Sequence, residues 1–441
     1  MPVMALRHLA SVALFVAPVT YFGVRHQRGD DRALVPGPTS AGHHQIEKRC
    51  DSCHTPFGGV SDEACRRCHG ESLRARGDSH DAAKFDDPAK AADLAVVDAR
   101  SCLACHREHR PEARLRGSVT VGQTFCFGCH ASVGTDRPSH AGLDPGGCAA
   151  AGCHNYHDNR ALTRDFLQRH RGEPALLADP RLPAVLVAKP PQRAPQAESA
   201  PAGEERRDEL ALAKLDWAHS AHARASVGCT RCHPSVGDDG TPVGTDVSWR
   251  VADALCADCH QSERDGFFAG KHGMRVAVGL SAMAPSLARA PKKMNGEAAE
   301  HALGCTTCHG AHRFDRERAA VSGCEGCHTD PHTRAFRDSP HFAAWQREQN
   351  GQSPAGTGVS CATCHLPREQ ARAGDPVRVV HNQNRNLRPS DRMAREVCAH
   401  CHGLGFALAA LADTALVTNN FAGAPAAVVT GMNLVERGQS K

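Results

Sequence analysis

All 22 cysteines of this chain fall into eleven pairs, and a histidine follows each pair directly. Ten pairs have the spacing C-x-x-C-H: Cys50, Cys53 and His54; Cys65, Cys68 and His69; Cys102, Cys105 and His106; Cys126, Cys129 and His130; Cys229, Cys232 and His233; Cys256, Cys259 and His260; Cys305, Cys308 and His309; Cys324, Cys327 and His328; Cys361, Cys364 and His365; Cys398, Cys401 and His402. The eleventh, Cys148, Cys153 and His154, has a longer loop between its thiols. Two thiols with an imidazole at this spacing suit one chemistry. The thiols form thioethers to porphyrin vinyl groups, and the imidazole ligates the iron. The expectation is haem c, eleven copies, covalently held. Zinc ribbons, redox dithiols and disulfide frameworks also use cysteine pairs, but none needs a histidine next to the second cysteine. With 29 His in 441 residues, chance would supply roughly one such histidine among eleven pairs.

A second axial ligand must come from elsewhere in the chain. His8 and His26 lie in or beside an apolar N-terminal run. The remaining candidates are His43, His44, His80, His109, His140, His157, His170, His219, His222, His272, His301, His312, His332, His341, His381 and His400. Sixteen candidates for eleven irons predict mostly bis-His haems. Methionine is scarce, and bis-His ligation keeps potentials lower than Met/His. His109, His157, His312 and His332 each follow a motif within a few residues. Such a histidine cannot easily reach over its own haem, so it is expected to serve a neighbouring one. His219 and His222 stand three apart on one face of an expected helix.

The elements that must hold these groups are short. Aromatic residues are only 4% of the chain, while Gly and Pro are plentiful. A conventional core is therefore thin, and the porphyrins are expected to complete it. The fold class expected is mainly α with much irregular loop, a multihaem cytochrome c with a haem-stack core and two haem clusters. The domains expected are a signal peptide or membrane anchor at 1–28, a pentahaem domain at 29–170, a Pro/Ala-rich linker and charged helix at 171–214, a hexahaem domain at 215–415 and a tail at 416–441. Helices are expected near 160–171, from Glu204 to His219 and from Gly405 onward. The motifs recur too unevenly for a regular solenoid.

The apolar run from about Leu9 to Val24 follows one Arg and reads as an export signal, either cleaved or kept as an anchor. The bulk of the chain is then periplasmic, with membrane contact only through the N-terminus. The formal charge of +4 would turn mildly acidic once haem propionates are counted. Arginines are scattered without a basic stripe, which excludes nucleic acid as a partner. The partners expected are redox proteins, a membrane quinol-oxidising complex among them.

Two family resemblances follow from longer stretches. HHQIEKRCDSCH (His43–His54), CLACHREHR (Cys102–Arg110) and FCFGCH (Phe125–His130) resemble class III-type cytochrome c modules, which are haem-dense electron-transfer folds. SPHFAAWQREQNGQSPAGTGVSCATCHLP (Ser339–Pro367) and VCAHCHG (Val397–Gly403) resemble the hydroxylamine oxidoreductase and pentahaem nitrite reductase superfamily. Within it, His381 matches a distal histidine. The departures are clear. No C-x-x-C-K occurs, and the only tyrosines are Tyr21 and Tyr156, outside the matching half. By chain order the resemblance places the active haem on Cys256–His260, with Asp265, His272 and Arg275 as its nearest polar neighbours and His272 and Arg275 as candidate catalytic residues.

Two functions remain open at this point. One is an electron conduit in which every iron is six-coordinate. The other is a reductase of nitrite, hydroxylamine or a sulfur oxyanion at one open haem.

Overall fold

The computed structural model describes residues 2–27, 37–56, 58–75, 85–96, 99–110, 119–121, 125–137, 140, 154–158, 169–180, 204–237, 251–290, 293–370, 375–387 and 392–427. Cys148, Cys153, His80, most of the expected helix near 160–171, most of the Pro/Ala-rich segment and the end of the tail lie outside these residues.

Among the described residues helices and turns dominate. The longer helices are α1 (Pro2–Gln27), α2 (Asp62–Ala75), α3 (Glu204–Ala218), α4 (Asp253–Ala269), α5 (Pro340–Gln349) and α6 (Leu404–Ala412). The described strands make two antiparallel ladders. β1 (His54–Thr55) pairs with β2 (Gly59–Val60), and β3 (Arg368–Glu369) with β4 (Arg378–Val379). No described helix is both long and apolar enough to cross a membrane.

Four motifs form single helical turns, at Cys102–Cys105, Cys229–Cys232, Cys305–His309 and Cys361–His365, while those of Cys65 and Cys256 lie within α2 and α4. A turn of this kind puts residues three apart on one face, so both thiols point the same way. At Cys361–His365 a side chain starts the turn. Ser360 accepts from the Thr363 amide at 3.2 Å, and Thr363 Oγ1 accepts from the Ser360 amide at 3.1 Å. This reciprocal pair satisfies two amides that the helix leaves open.

Apolar burial is concentrated near the last motif, in Met393, Ala394, Val397, Leu404, Ala407, Ala410 and Leu416. The helix expected from Gly405 is two helices. Asp413 ends α6 and caps Thr414–Thr418 by accepting from Ala415 and Leu416. The second half surrounds a cavity of about 2800 Å³ that members of all six of its cysteine motifs line. A single-ligand pocket is about 300–1,000 Å³, so this space suits a row of large groups.

The two halves touch. Lys271 donates to the Ala41 carbonyl at 3.2 Å and Arg275 to the Gln45 carbonyl at 3.0 Å. Asp158, almost fully buried, is ion-paired with Arg395. The beginning of the segment expected as a linker is docked. Leu177 donates to the Cys401 carbonyl at 2.8 Å, and Gly403 to the Pro174 carbonyl at 3.1 Å. A side chain at Gly403 would come within 2.5 Å of that carbonyl, so only glycine permits this approach.

Candidate functional site

The described residues bring ten motif histidines each opposite a histidine from outside any motif. In the first half the ring centres lie 6.4 Å apart for His54–His109, 5.9 Å for His69–His43, 6.2 Å for His106–His157 and 5.8 Å for His154–His140. In the second half they lie 6.0 Å apart for His233–His312, 5.9 Å for His260–His222 and 6.2 Å for His309–His381. His328–His272, His365–His332 and His402–His341 are also at 6.2 Å.

This spacing fits one iron between two imidazoles. A metal–imidazole bond is about 2.0 Å, and the ring centre lies about 1.1 Å beyond the nitrogen, so two such ligands in line stand about 6 Å apart. Ordinary ring contacts have a similar range but no reason to choose their partners. Here each of the ten pairs joins one motif histidine to one that is not. With the thiols of each motif turn on one face, these residues fit haem c.

His109, His157, His312 and His332 each sit beside one motif and face the histidine of another. Two of them need an unusual backbone. His109 has φ of 59° and His312 φ of 63°, left-handed values that cost a side chain about 1 kcal/mol or more. The turn carries each ring away from its own motif.

Helix starts place two others. In Asp330-Pro331-His332 and Ser339-Pro340-His341, a capping side chain precedes proline at the first helical position. Asp330 accepts from Thr333 at 3.2 Å and Ser339 from Phe342 at 3.1 Å. The histidine then falls in the first turn, where His332 faces His365 and His341 faces His402. Read as a cap–Pro–His signal, the sequence could have singled out both.

Burial leaves the inner rings neutral, the form that binds metal. It lowers His272 and His365 to about 4, and the adjacent histidines add to this. His154 and His341 lie at about 4 for the same reasons. Several rings are fixed through Nδ1. His109 donates to the Gly37 carbonyl at 2.7 Å, His381 to Val379 at 3.0 Å and His402 to Ala175 at 2.7 Å. Such bonds leave Nε2 for a metal. His43 instead donates Nδ1–H to the Glu108 carboxylate at 2.7 Å. The second Glu108 oxygen accepts from the Ser40 amide at 2.5 Å. Burial raises the Glu108 carboxyl, but the bonds from His43 and Ser40 outweigh it and bring it down to about 2.

The arrangement over Cys256–His260 differs from the open haem that chain order implied. His222 stands opposite His260. His272 faces His328 instead. Arg275 is spent on the Ser281 carbonyl and hydroxyl and on the Gln45 carbonyl. Asp265 pairs with Arg264. The residues that follow His260 in sequence are thus placed beside another motif, with His272 opposite His328.

Other candidates are placed apart from these pairs. His170 bonds Glu173, His219 the Leu215 carbonyl and His400 the Glu396 carbonyl. His44 bonds the Ala41 carbonyl, and the His301 amide donates to Ala298. His130 also has neighbours.

A wiring pattern that spacing concealed occurs twice. In residues 43–109, His43 stands seven before Cys50 and faces the next motif's His69. Asp62 stands three before Cys65 and accepts from the Cys102 amide at 3.0 Å. His109, three after His106, returns to His54. In residues 222–312, His222 stands seven before Cys229 and faces His260. Asp253, three before Cys256, accepts from the Cys305 amide at 3.2 Å. His312, three after His309, returns to His233. Thiol contacts repeat too, Cys65 with Cys102 and Cys256 with Cys305. Asp62, Asp253 and Glu108 were absent from the sequence-based candidates.

Comparison with known proteins agrees at the level of the motif. A family described as the doubled CXXCH motif matches residues 95–135, which hold the Cys102 and Cys126 motifs. No solved structure matches the chain. The match supports covalently bound haem c and a multihaem c-type cytochrome.

Proposed function

We propose that this chain is an undecahaem electron conduit, with the irons of at least ten haems held between a motif histidine and the histidine facing it. The ten histidine pairs carry this reading. Haem bound in these sites supplies reversible one-electron chemistry. The cysteine turns would anchor it and the paired imidazoles would ligate its iron, while the Nδ1 acceptors fix the rings.

The reductase alternative needs an iron without a second imidazole. Its candidate site at His260 has His222 in that position.

Mass spectrometry and electron paramagnetic resonance test both parts. The holoprotein should exceed the polypeptide by eleven haem masses and show low-spin iron in at least ten of them. His222→Ala should convert one haem to high spin. A high-spin haem in the wild type that reduces nitrite or hydroxylamine would overturn the conduit reading.

The apolar N-terminal run supports export to the periplasm or cell envelope, with a redox protein or a membrane quinol-oxidising complex as electron donor. Fractionation of expressing cells tests the location, and a cytoplasmic holoprotein would contradict it.

A further inference from the structure

The two wiring units differ at the back of one ligand. In the first, His43 donates to a carboxylate, Glu108, which stands two residues after His106. The corresponding position in the second, two residues after His309, is Ala311. There the Nδ1 of His222 is buried without a hydrogen-bond partner. Its ring meets Phe314 edge-on at 4.4 Å between centres. His109, His332 and His381 use neutral carbonyls at Nδ1.

These surroundings act on an iron in opposite directions. A carboxylate accepting Nδ1–H makes the imidazole a stronger donor, and its negative charge favours the ferric state. An imidazole whose Nδ1 has no hydrogen-bond partner gains neither effect. Second-shell hydrogen bonding is one of the means by which a protein sets a haem's potential. Glu108 is itself held by the Ser40 amide, so its orientation does not depend on His43 alone.

We infer that Glu108 is a redox-tuning residue. It makes the haem on Cys65, Cys68 and His69 lower in potential than its counterpart on Cys256, Cys259 and His260. Matching ligand sets then differ in driving force, and electrons run downhill from the first unit to the second. This rests on His43 and His222 being iron ligands.

The test is a potentiometric titration of the full holoprotein, followed by its visible spectrum and by electron paramagnetic resonance. Glu108→Gln keeps an acceptor for His43 and removes the charge. One haem should move to higher potential, with its ferric-to-ferrous ratio at fixed potential changing about tenfold, or about 59 mV for one electron. All haems should stay low-spin. A low-spin Glu108→Gln protein that titrates as wild type overturns the inference. If Glu108→Gln becomes high-spin, Glu108→Asp decides. A low-spin Asp variant that titrates as wild type supports tuning by charge, and an Asp variant that also turns high-spin makes Glu108 structural and overturns it. His43→Ala tests the premise separately, because absence of a new high-spin haem there removes His43 as a ligand.

Discussion

Residues 43–109 and 222–312 use the same three-motif wiring with different chemistry behind it. Each has a histidine seven residues ahead of its first motif, an aspartate three ahead of its second and a histidine three behind its third. In each, the first histidine faces the second motif and the last returns to the first. The Nδ1 partner of the first histidine is what differs, Glu108 in one unit and none in the other. The pairing of the histidines and the hydrogen bonding behind them therefore vary separately. The ligands stand at fixed offsets from the motifs, while a single position two residues after the third motif is free to vary.

Removing the haem should erase the comparison altogether. Buried apolar side chains are few outside residues 393–416, and the second half is arranged around its cavity. Expression without covalent haem attachment should yield a chain with no cooperative thermal transition, measured by circular dichroism. A cooperative apoprotein would show that the peptide alone carries both units.

The contact between halves comes next. Asp158 and Arg395 form an ion pair whose side chains are 2% and 14% exposed. Asp158→Ala leaves Arg395 without its main counter-charge, and loss of one partner of a buried pair costs about 3–5 kcal/mol. Denaturant unfolding of the holoprotein should register it. A change below about 1 kcal/mol, the range of exposed pairs, would mean that water reaches Arg395.

The units can also be made more alike. Ala311→Glu places a carboxylate at the second unit's equivalent of Glu108. One haem should move to lower potential, by up to about tenfold in its ferric-to-ferrous ratio, or 1.4 kcal/mol. Potentiometry reads the direction. An upward move would contradict the equivalence of the two positions.

The smallest effect is expected at the aspartates. Asp62→Ala and Asp253→Ala each remove an acceptor from the amide of a motif's first cysteine, at 3.0 Å and 3.2 Å. Each should cost about 1 kcal/mol of stability, the range for a lost cap. Asp62 also accepts from Ser101 Oγ at 3.2 Å, where the second unit has Gly304, so its loss should be the larger. Equal or reversed effects would break the parallel.

The cysteines and the histidine next to each pair were legible without coordinates, because thioether attachment and proximal ligation are local. Three or five residues of chain suffice to set them. The scarcity of strands was legible too, and the expected helix at 204–219 corresponds to α3. The facing histidines were legible only as a pool. His54 and His109 are far apart in sequence, and nothing in spacing says that His272 belongs with His328 and not with His260. Loop length hid the repeat. His54 to Asp62 is eight residues and His233 to Asp253 is twenty. Loop-closure entropy rises only with the logarithm of length, so such insertions leave the wiring intact while they destroy its period. Composition and motif thus determined the cofactor. Tertiary structure decided which histidines face one another and that His43 has the Glu108 carboxylate behind it, because those contacts join segments that the chain's own geometry leaves independent.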